Sequence, residues 1–429
     1  MRYSPARDPL TTGRRTRVAW YAYDLGNTTV EFAVPLYLTI WIVQDLGVAA
    51  WVFGLASAFS SWAVGLTGPY VGVHADERHE RRRWFITSAS VATVLLAAIA
   101  FLPHARTASL VLVLGVVMAA NYFFQISSLI YNASMLTAAK GTNVVSVSAT
   151  GLGLSYVGGL LGIVLIDSLV SGRLVPGVSG RGYAVLPAAL IFIACSLPGF
   201  YAHNLWQKPT DVVLIPEGRL HRRMYDLWKE AAREHKAGWF LAGFFALNSS
   251  IMGLTLYLPL HVAAVTSLEG TGLTIIFGIV VAVSIIGAAV VTMLHPVGVT
   301  VWRIIVVGLT LLGINALVLS LMRTAPLIVA CGCVHGILSG ALIPTVRAAF
   351  AQTFRSDYQA LAFGLYGAVQ RVSQGLGAAL SPLASAAAGG RTSTSVGIAA
   401  MGVLALIGVP LFSRWRLPAA GGASSGRES

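Results

Sequence analysis

Charged residues are scarce in this chain of 429 residues, of which aspartate, glutamate, lysine and arginine make up only 10%. A soluble domain carries about 25%, so the composition excludes an ordinary water-soluble fold. Cysteine is also rare, and Cys195, Cys331 and Cys333 have the spacing of neither a disulfide framework nor a zinc site. The short signatures of zinc hydrolases, nucleotide-binding loops and serine hydrolases are missing too. We therefore expect no enzyme, no metal and no cofactor.

Apolar residues make up 56% of the chain and are gathered into long runs. A run of about 20 residues crosses the ~30 Å apolar core of a bilayer as a helix, whereas barrel strands alternate in pieces of about 10 residues. We therefore predict an all-α polytopic membrane protein with twelve transmembrane helices. The predicted spans are residues 18–43, 48–73, 84–103, 108–134, 144–170, 183–203, 238–264, 272–294, 301–322, 326–350, 359–388 and 393–413.

Basic residues account for the net charge of +13, and they flank the spans instead of forming one basic face. This placement argues against a nucleic-acid partner. If the amino terminus is cytoplasmic, 23 lysines and arginines lie on the cytoplasmic side and five on the other. The positive-inside rule thus predicts that both termini are cytoplasmic. We expect an integral protein of the bacterial cytoplasmic (inner) membrane, monomeric, with the lipid bilayer around it.

The longest loop divides the chain into two halves of six spans. It predicts an N-terminal bundle over residues 1–203, a cytoplasmic linker over 204–237 and a C-terminal bundle with the tail over 238–429. Within the linker, apolar residues at helical spacing stand among basic ones, which predicts an interfacial helix. These apolar residues are Leu220, Met224, Leu227 and Ala231. Two six-helix bundles with a cytoplasmic linker resemble the plan of the major facilitator fold.

Four charges inside predicted spans are candidates for function, because ionisable groups at membrane depth are costly and usually functional. Asp24, Asn27 and Glu31 share one face of the first helix. Counting 1.5 Å per residue places Glu31 and Arg371 at a similar depth near the midplane, in different halves. The two charges are expected to meet across a central cavity, although a purely structural ion pair is the alternative. Asp167 is expected at the membrane interface, near the end of the fifth span.

Polar side chains also recur inside the fourth, seventh and tenth spans. Together with the charges they predict a wet pathway between the two bundles. The alternative is hydrogen bonding between helices, which contributes about 0.6–2 kcal/mol for each bond. Besides Asp24, Asn27, Glu31 and Arg371, the candidate pathway residues are Asn121, Gln125, Asn132, Asn248, His335 and Gln370.

Small residues follow the fifth span at helical spacing. Gly151, Ser155 and Gly159 form one ladder, and Gly158 and Gly162 form a second. Residues of this size allow the backbones of two helices to approach closely. The ladders therefore predict a tightly packed neighbour for the fifth helix.

The loop after the second span resembles the signature loop of the major facilitator superfamily. It runs from Gly72 to Asp76 and continues with Arg81, Arg82 and Arg83. In that family the aspartate caps the eleventh helix and pairs with the basic residues, which latches the cytoplasmic gate. The resemblance implies the same role here. The match is partial, because the pattern is broken at Glu77, His79 and Glu80.

Three further stretches resemble the vacuole-effluxer-like branch of that superfamily, whose fungal relatives release amino acids from the vacuole. They are the aromatic run from Trp20 to Asn27, the stretch from Tyr131 through residue 159, and the run from Phe363 to Gly367 followed by Arg371. Near Asn248 the branch often has an acidic residue and a glycine. Two serines stand there in this chain, so substrate or ion coupling is expected to differ.

These features together predict a secondary transporter, an effluxer that moves a small polar solute such as an amino acid or another carboxylate metabolite. The coupling ion is expected to be a proton, or another ion. Burial disfavours a charged carboxylate and a neighbouring guanidinium favours it. A solute carboxylate bound at Arg371 would thus release Glu31 to take up a proton. The alternative is a non-transporting membrane receptor or scaffold that binds its partners through the loop at 204–237.

Overall fold

The protein is all-helical in the part of the chain that the computed structural model describes. That part comprises residues 9–102, 107–140, 142, 144–174, 180–207, 222, 229, 237–266, 268, 270–294, 299–353, 359–389 and 393–415. Twelve long helices fill most of it, as the sequence predicts. They are α1 (Pro9–Ala33), α2 (Ala50–Glu77), α3 (Arg81–Ile99), α4 (Thr107–Ala133), α5 (Val144–Val170), α6 (Val185–Tyr201), α7 (Ala237–Thr266), α8 (Thr271–Leu294), α9 (Val301–Leu321), α10 (Ala325–Thr353), α11 (Gln359–Ala388) and α12 (Ser393–Arg414).

Ten of these twelve described helices are long and apolar enough to cross a membrane. The two that fall short are α1 and α11, which carry Asp24, Glu31 and Arg371. Beyond its α-helical part, α1 continues through two π-helical turns, Val34–Leu38 and Trp41–Asp45. The α-helical part is itself 25 residues long, and these turns continue its apolar part to Asp45.

The helices pack as two groups. In the first, α1 lies between α5 and α6, and α3 packs on α4 and α6. In the second, α12 packs on α7 and α9, and α10 packs on α8. The groups join where α2 meets α11 and where α5 meets α8. Most of the segment between the groups, including the predicted interfacial helix, lies outside the described residues.

The small residues of α5 hold that helix against α1, as their spacing predicts. A Cβ added at Gly158 would meet the carbonyl oxygen of Leu25 at 2.9 Å, and one at Gly162 would collide with Thr29. One turn before Gly158, the hydroxyl groups of Ser155 and Thr28 are hydrogen bonded. The prediction of a close neighbour for the fifth helix is therefore confirmed, and the neighbour is the helix that carries Glu31.

The two helix groups touch from one end of the bundle to its middle. We call the end at which α1 begins and α12 ends the termini face, and the opposite end the far face. Helices α2 and α11 pack from Gly54 near the far face to Gly65, whose added Cβ would meet Val372. Closer to the termini face, a Cβ added at Gly367 of α11 would meet no described atom within 4 Å. We call the space between the groups on this side of Gly65 the crevice.

A hydrogen-bonded cluster ties the groups together at the far face. Asp167 of α5 is only 6% exposed and accepts hydrogen bonds from Thr274 (2.7 Å) and Thr271 (3.3 Å) of α8. Arg173 donates to Asp167 at 2.5 Å, and the Tyr37 hydroxyl lies 3.1 Å from that of Thr274. Asp167 does lie near the end of its span, as expected, but it is a buried link between the groups. We call these five residues the far-face latch.

Candidate functional site

The side chain of Glu31 is exposed although it lies deep within the bundle. Other sides of α1 are covered, since Gly26 packs on Cys195 of α6 and Thr29 packs on α5. The exposed side of Glu31 therefore faces the crevice. Across the crevice its charge interacts with that of Arg371 on α11. An exposed carboxylate at this depth is the mark of a water-filled space between the helix groups.

The guanidinium of Arg371 reaches from α11 to the other helix group. It donates to Gln374 on its own helix (3.2 Å) and to the Ser128 hydroxyl of α4 (3.4 Å). Ser128 in turn accepts from the exposed Asn132, one turn along α4, at 3.5 Å. Among the described residues, Arg371 and Glu31 form no ion pair within 4.0 Å. The predicted pair thus shares one crevice without direct contact.

Asp24 lies on α1 two helical turns from Glu31, about 10 Å closer to the termini face. It is half-buried beside Tyr131 of α4. The Tyr131 ring stacks on Trp20 with 4.7 Å between centroids, and it packs on Tyr23 at 4.4 Å. The Tyr131 hydroxyl is buried, and the Asp24 carboxylate beside it can accept its hydrogen bond. This aromatic cluster fixes one wall of the crevice.

Arg347 is a crevice residue that the sequence analysis missed. It is half-buried on α10, and its guanidinium reaches the first helix group, where it donates to the Met135 sulfur at 3.0 Å. Its charge interacts with Asp24 and with the Tyr131 hydroxyl. The count of basic residues assigned Arg347 to the cytoplasmic side, although it lies three residues before the end of the predicted tenth span. This position inside a predicted span is the feature that could have identified Arg347 as a candidate.

The candidate residues of the fourth span are bound to a neighbouring helix. Gln125 is 2% exposed and donates to Ser61 of α2 at 3.1 Å and to Asn121 at 2.9 Å. Asn121 donates to Ser60, also on α2. These amide groups therefore link α4 to α2 inside the first helix group, which is the alternative given for them above. Their participation in a pathway stays a prediction.

The candidates of the second helix group are similarly engaged. Asn248 of α7 is 4% exposed and donates to Ser373 (2.8 Å) and to the carbonyl of Gln370 (3.1 Å), both on α11. His335 of α10 is also buried, with its Nε2 3.4 Å from the Ser339 hydroxyl. The bonds of Asn248 position the turn of α11 that carries Arg371. Asn248 therefore stabilises the position of Arg371 indirectly.

Two arginines of the signature-like loop are bound within the first helix group. Arg82 donates to the carbonyl of Phe200 on α6 at 2.7 Å, and Arg83 pairs with Glu80 at 3.2 Å. Arg81 is buried at the start of α3. Gly72 lies near the end of α2, while the side chain of Asp76 lies outside the described part of the structure. The predicted latch between this loop and the eleventh helix therefore stays a prediction.

The family follows from comparison with known proteins. A family model of the Major Facilitator Superfamily matches residues 25–297, well over half of the chain. The chain belongs to this superfamily. It is therefore an integral membrane protein and a secondary transporter of a small molecule, and its relatives are transporters rather than enzymes. Among the described residues, no three histidine, cysteine, aspartate or glutamate side chains converge on a possible metal site.

Solved structures of other transporters share the fold over almost the whole chain. A mutant of the nucleoside transporter NupG is 11% identical with a TM-score of 0.70, covering 93% of this chain and 99% of its own. A proton-dependent oligopeptide transporter is 14% identical at 0.62, with 94% and 100% covered. The human organic anion transporter MFSD10 is 13% identical at 0.59, with 95% and 100% covered. At these identities the likeness shows the fold alone. No curated protein matches the sequence.

Proposed function

We propose that the protein carries a small carboxylate-bearing solute and couples its movement to protons at Glu31. The supporting observation is the arrangement of Glu31 and Arg371, which face one crevice from opposite helix groups without pairing directly. An unpaired acid and an unpaired guanidinium inside a membrane protein are costly unless a ligand or ion uses them. The resemblance to the vacuole-effluxer-like branch favours amino acids within this solute class.

Arg371 is the residue to which we assign the solute carboxylate. A guanidinium binds a carboxylate through two parallel hydrogen bonds, and its present partners, Gln374 and Ser128, are neutral side chains. A carboxylate bound at Arg371 neutralises the charge that Glu31 feels across the crevice. Glu31 then takes up a proton more readily, because its charged form loses the nearby cation. Solute and proton are in this way loaded together.

Alternating access provides the movement. The far-face latch ties the groups together at one end, and Gly367 toward the other end meets no described atom within 4 Å, so we assign this structure to the state open at the termini face. Because basic residues gather at that face, we propose that it is cytoplasmic, with both termini on that side. Rocking of the two helix groups would open the latch and close the termini face around the same pair of charges.

The proposal is tested by uptake into proteoliposomes under a pH gradient. Radiolabelled L-alanine, L-glutamate, lactate and succinate are the probes, with uridine as a probe that has no carboxylate. We expect at least one carboxylate solute to be taken up faster with the gradient than without it. Glu31→Gln should abolish the acceleration and retain counterflow, the exchange of labelled for unlabelled solute. Asp45→Asn, which removes an exposed far-face carboxylate, should behave as wild type. Full pH-driven uptake by Glu31→Gln would overturn the proton-coupling role.

A further inference from the structure

Arg347 has hydrogen-bonding capacity that the described structure does not use. A guanidinium carries five N–H donors, and a thioether sulfur is a weak acceptor. In the described part of the chain, the sulfur of Met135 is the one hydrogen-bond partner of Arg347. Its side chain is only half-buried, so a solute in the crevice can reach it. Such a group is ready to bind an oxygen acceptor.

A second donor lies beside it. The Tyr131 side chain is 3% exposed, and its hydroxyl lies beside the Asp24 carboxylate. The ring is held between Trp20 and Tyr23, so the hydroxyl keeps its position near Arg347. The hydroxyl can donate either to Asp24 or to an oxygen of a bound solute. One oxygen-bearing ligand would therefore be bound by both Arg347 and Tyr131.

Arg347 and Arg371 lie at different depths along the crevice. Arg371 touches α4 at Ser128, whereas Arg347 touches Met135, seven residues further along the chain. Met135 lies just past the end of α4, so Arg347 contacts the first helix group closer to the termini face than Arg371 does. On the opposite wall the two carboxylates of α1 are also seven residues apart. The crevice therefore holds two levels of opposed charge.

We propose that Arg347 and Tyr131 form a second binding site for the solute carboxylate, between Arg371 and the termini face. This inference rests on the proposed function and identifies the residues through which a carboxylate-bearing solute enters or leaves. Asp24 balances Arg347 while the second site is empty, since the two charges interact without forming an ion pair within 4.0 Å. An anion released from Arg371 then passes to another guanidinium closer to the termini face. Without it, the anion would have to leave Arg371 with no other cation to bind.

The test compares half-saturation concentrations at the two faces. Right-side-out and inverted membrane vesicles expose opposite faces of the full chain, and the probe is whichever of L-alanine, L-glutamate, lactate and succinate the wild type carries fastest. Arg347→Gln should raise the half-saturation concentration about tenfold at the termini face and less than twofold at the far face. Arg347→Lys should recover part of the loss, and Tyr131→Phe should give a smaller change of the same sidedness. Arg303→Gln removes an exposed arginine at the termini face, at the start of α9, and should change neither value.

Several results would overturn the second site. One is an equal change at both faces, and another is no change at either. A third is recovery of transport by the exchanged pair Asp24→Arg with Arg347→Asp, since a mere closing ion pair tolerates exchange. Normal half-saturation at the far face shows that the variant is folded. If the wild type carries none of the four carboxylates, the proposed function itself fails, and that outcome is distinct from a wild type that transports while Arg347→Gln lacks sidedness.

Discussion

Side chains with the same polarity serve different purposes in this bundle, depending on what they already bind. The amides of Gln125 and Asn248 donate to hydroxyl groups on adjacent helices, because polar atoms inside a bilayer need partners within the protein. Glu31 instead has an exposed side chain that faces the crevice. We therefore assign the amides to packing and the charges to transport.

Asn248→Ala tests the packing role. The change leaves the Ser373 hydroxyl without its amide donor, and we expect the free energy of unfolding in detergent to fall by about 1–2 kcal/mol. The half-saturation concentration for solute should change less than twofold. Asn204→Ala, at an exposed position, is the matched control for both measurements. A variant of full stability that no longer transports would place Asn248 in the pathway instead.

Arg371 is expected to behave in the opposite way. Arg371→Gln should raise the half-saturation concentration for solute counterflow at least tenfold at both faces, since a charged hydrogen bond to the carboxylate is worth about 1.5–3 kcal/mol. Arg371→Lys keeps the charge but not the two parallel hydrogen bonds. Its half-saturation concentration should therefore lie between those of the wild type and of Arg371→Gln. Arg323→Gln serves as the control, because that guanidinium binds only local carbonyl groups among the described residues. Unchanged counterflow in Arg371→Gln contradicts the assignment.

At the scale of elements, α1 combines a packed side with a polar side. Its packed side depends on the glycines of α5, which leave no room for another atom at some positions. A Cβ at Gly158 meets both the side chain and the carbonyl of Leu25, whereas one at Gly153 meets no described atom within 4 Å. The two positions lie on the same helix and differ only in what they face.

Gly158→Ala and Gly153→Ala form a matched pair of variants. Gly158→Ala forces α1 away from α5 and should lower the free energy of unfolding by about 1–3 kcal/mol. Gly153→Ala should leave it unchanged or raise it by up to about 1 kcal/mol, because alanine favours the helix. Thermal denaturation in detergent measures both. Equal effects in the two variants would show that the α1–α5 contact is looser than described.

The far-face latch is the element that holds the present conformation closed at one end. Asp167→Asn removes the charge that Thr274 and Arg173 share, so the latch should open more often. The readout is the rate at which a membrane-impermeant thiol reagent, added at the far face, labels a cysteine at position 31. We expect a several-fold increase over the rate in the chain with Asp167 intact.

Asp45→Asn is the control for the latch, since Asp45 pairs with Arg181 at the same face but within one helix group. In Asp45→Asn, the cysteine at position 31 should be labelled at the same rate as in the chain with Asp45 intact. Equal acceleration by both variants would mean that loss of any far-face charge loosens the bundle, which contradicts a specific role for Asp167.

At the scale of the whole molecule, local patterns predicted what depends on neighbours in sequence. Hydrophobic runs gave the twelve helices, and the spacing of Gly158 and Gly162 gave the contact of α5. The contacts of Asp167 with Thr274 and of Met135 with Arg347 join the two groups, and they were not predicted because their partners are distant along the chain. Thr274 follows Asp167 by 107 residues, and Arg347 follows Met135 by 212. No periodicity within a single span reveals which side chain of another helix group it will face.

The same limit applies to the central pair. Counting residues placed Glu31 and Arg371 at one depth, and the structure brings both to one crevice. The count could not show that Arg371 would turn to Ser128 instead of to the acid, since that choice depends on the separation of the helix groups. The conformational state of a transporter depends on how its helix groups are arranged, so the sequence of a single helix does not predict it.

Side-specific labelling of a cysteine at position 31 tests the crevice most directly. The three native cysteines are replaced by serine, Glu31→Cys is introduced, and a membrane-impermeant thiol reagent is added to either face of sealed vesicles. The account predicts rapid labelling from the termini face, slow labelling from the far face, and protection by the transported carboxylate solute. A cysteine that reacts only with a lipid-soluble reagent, or equally from both faces, would contradict a crevice open at one end with Glu31 inside it.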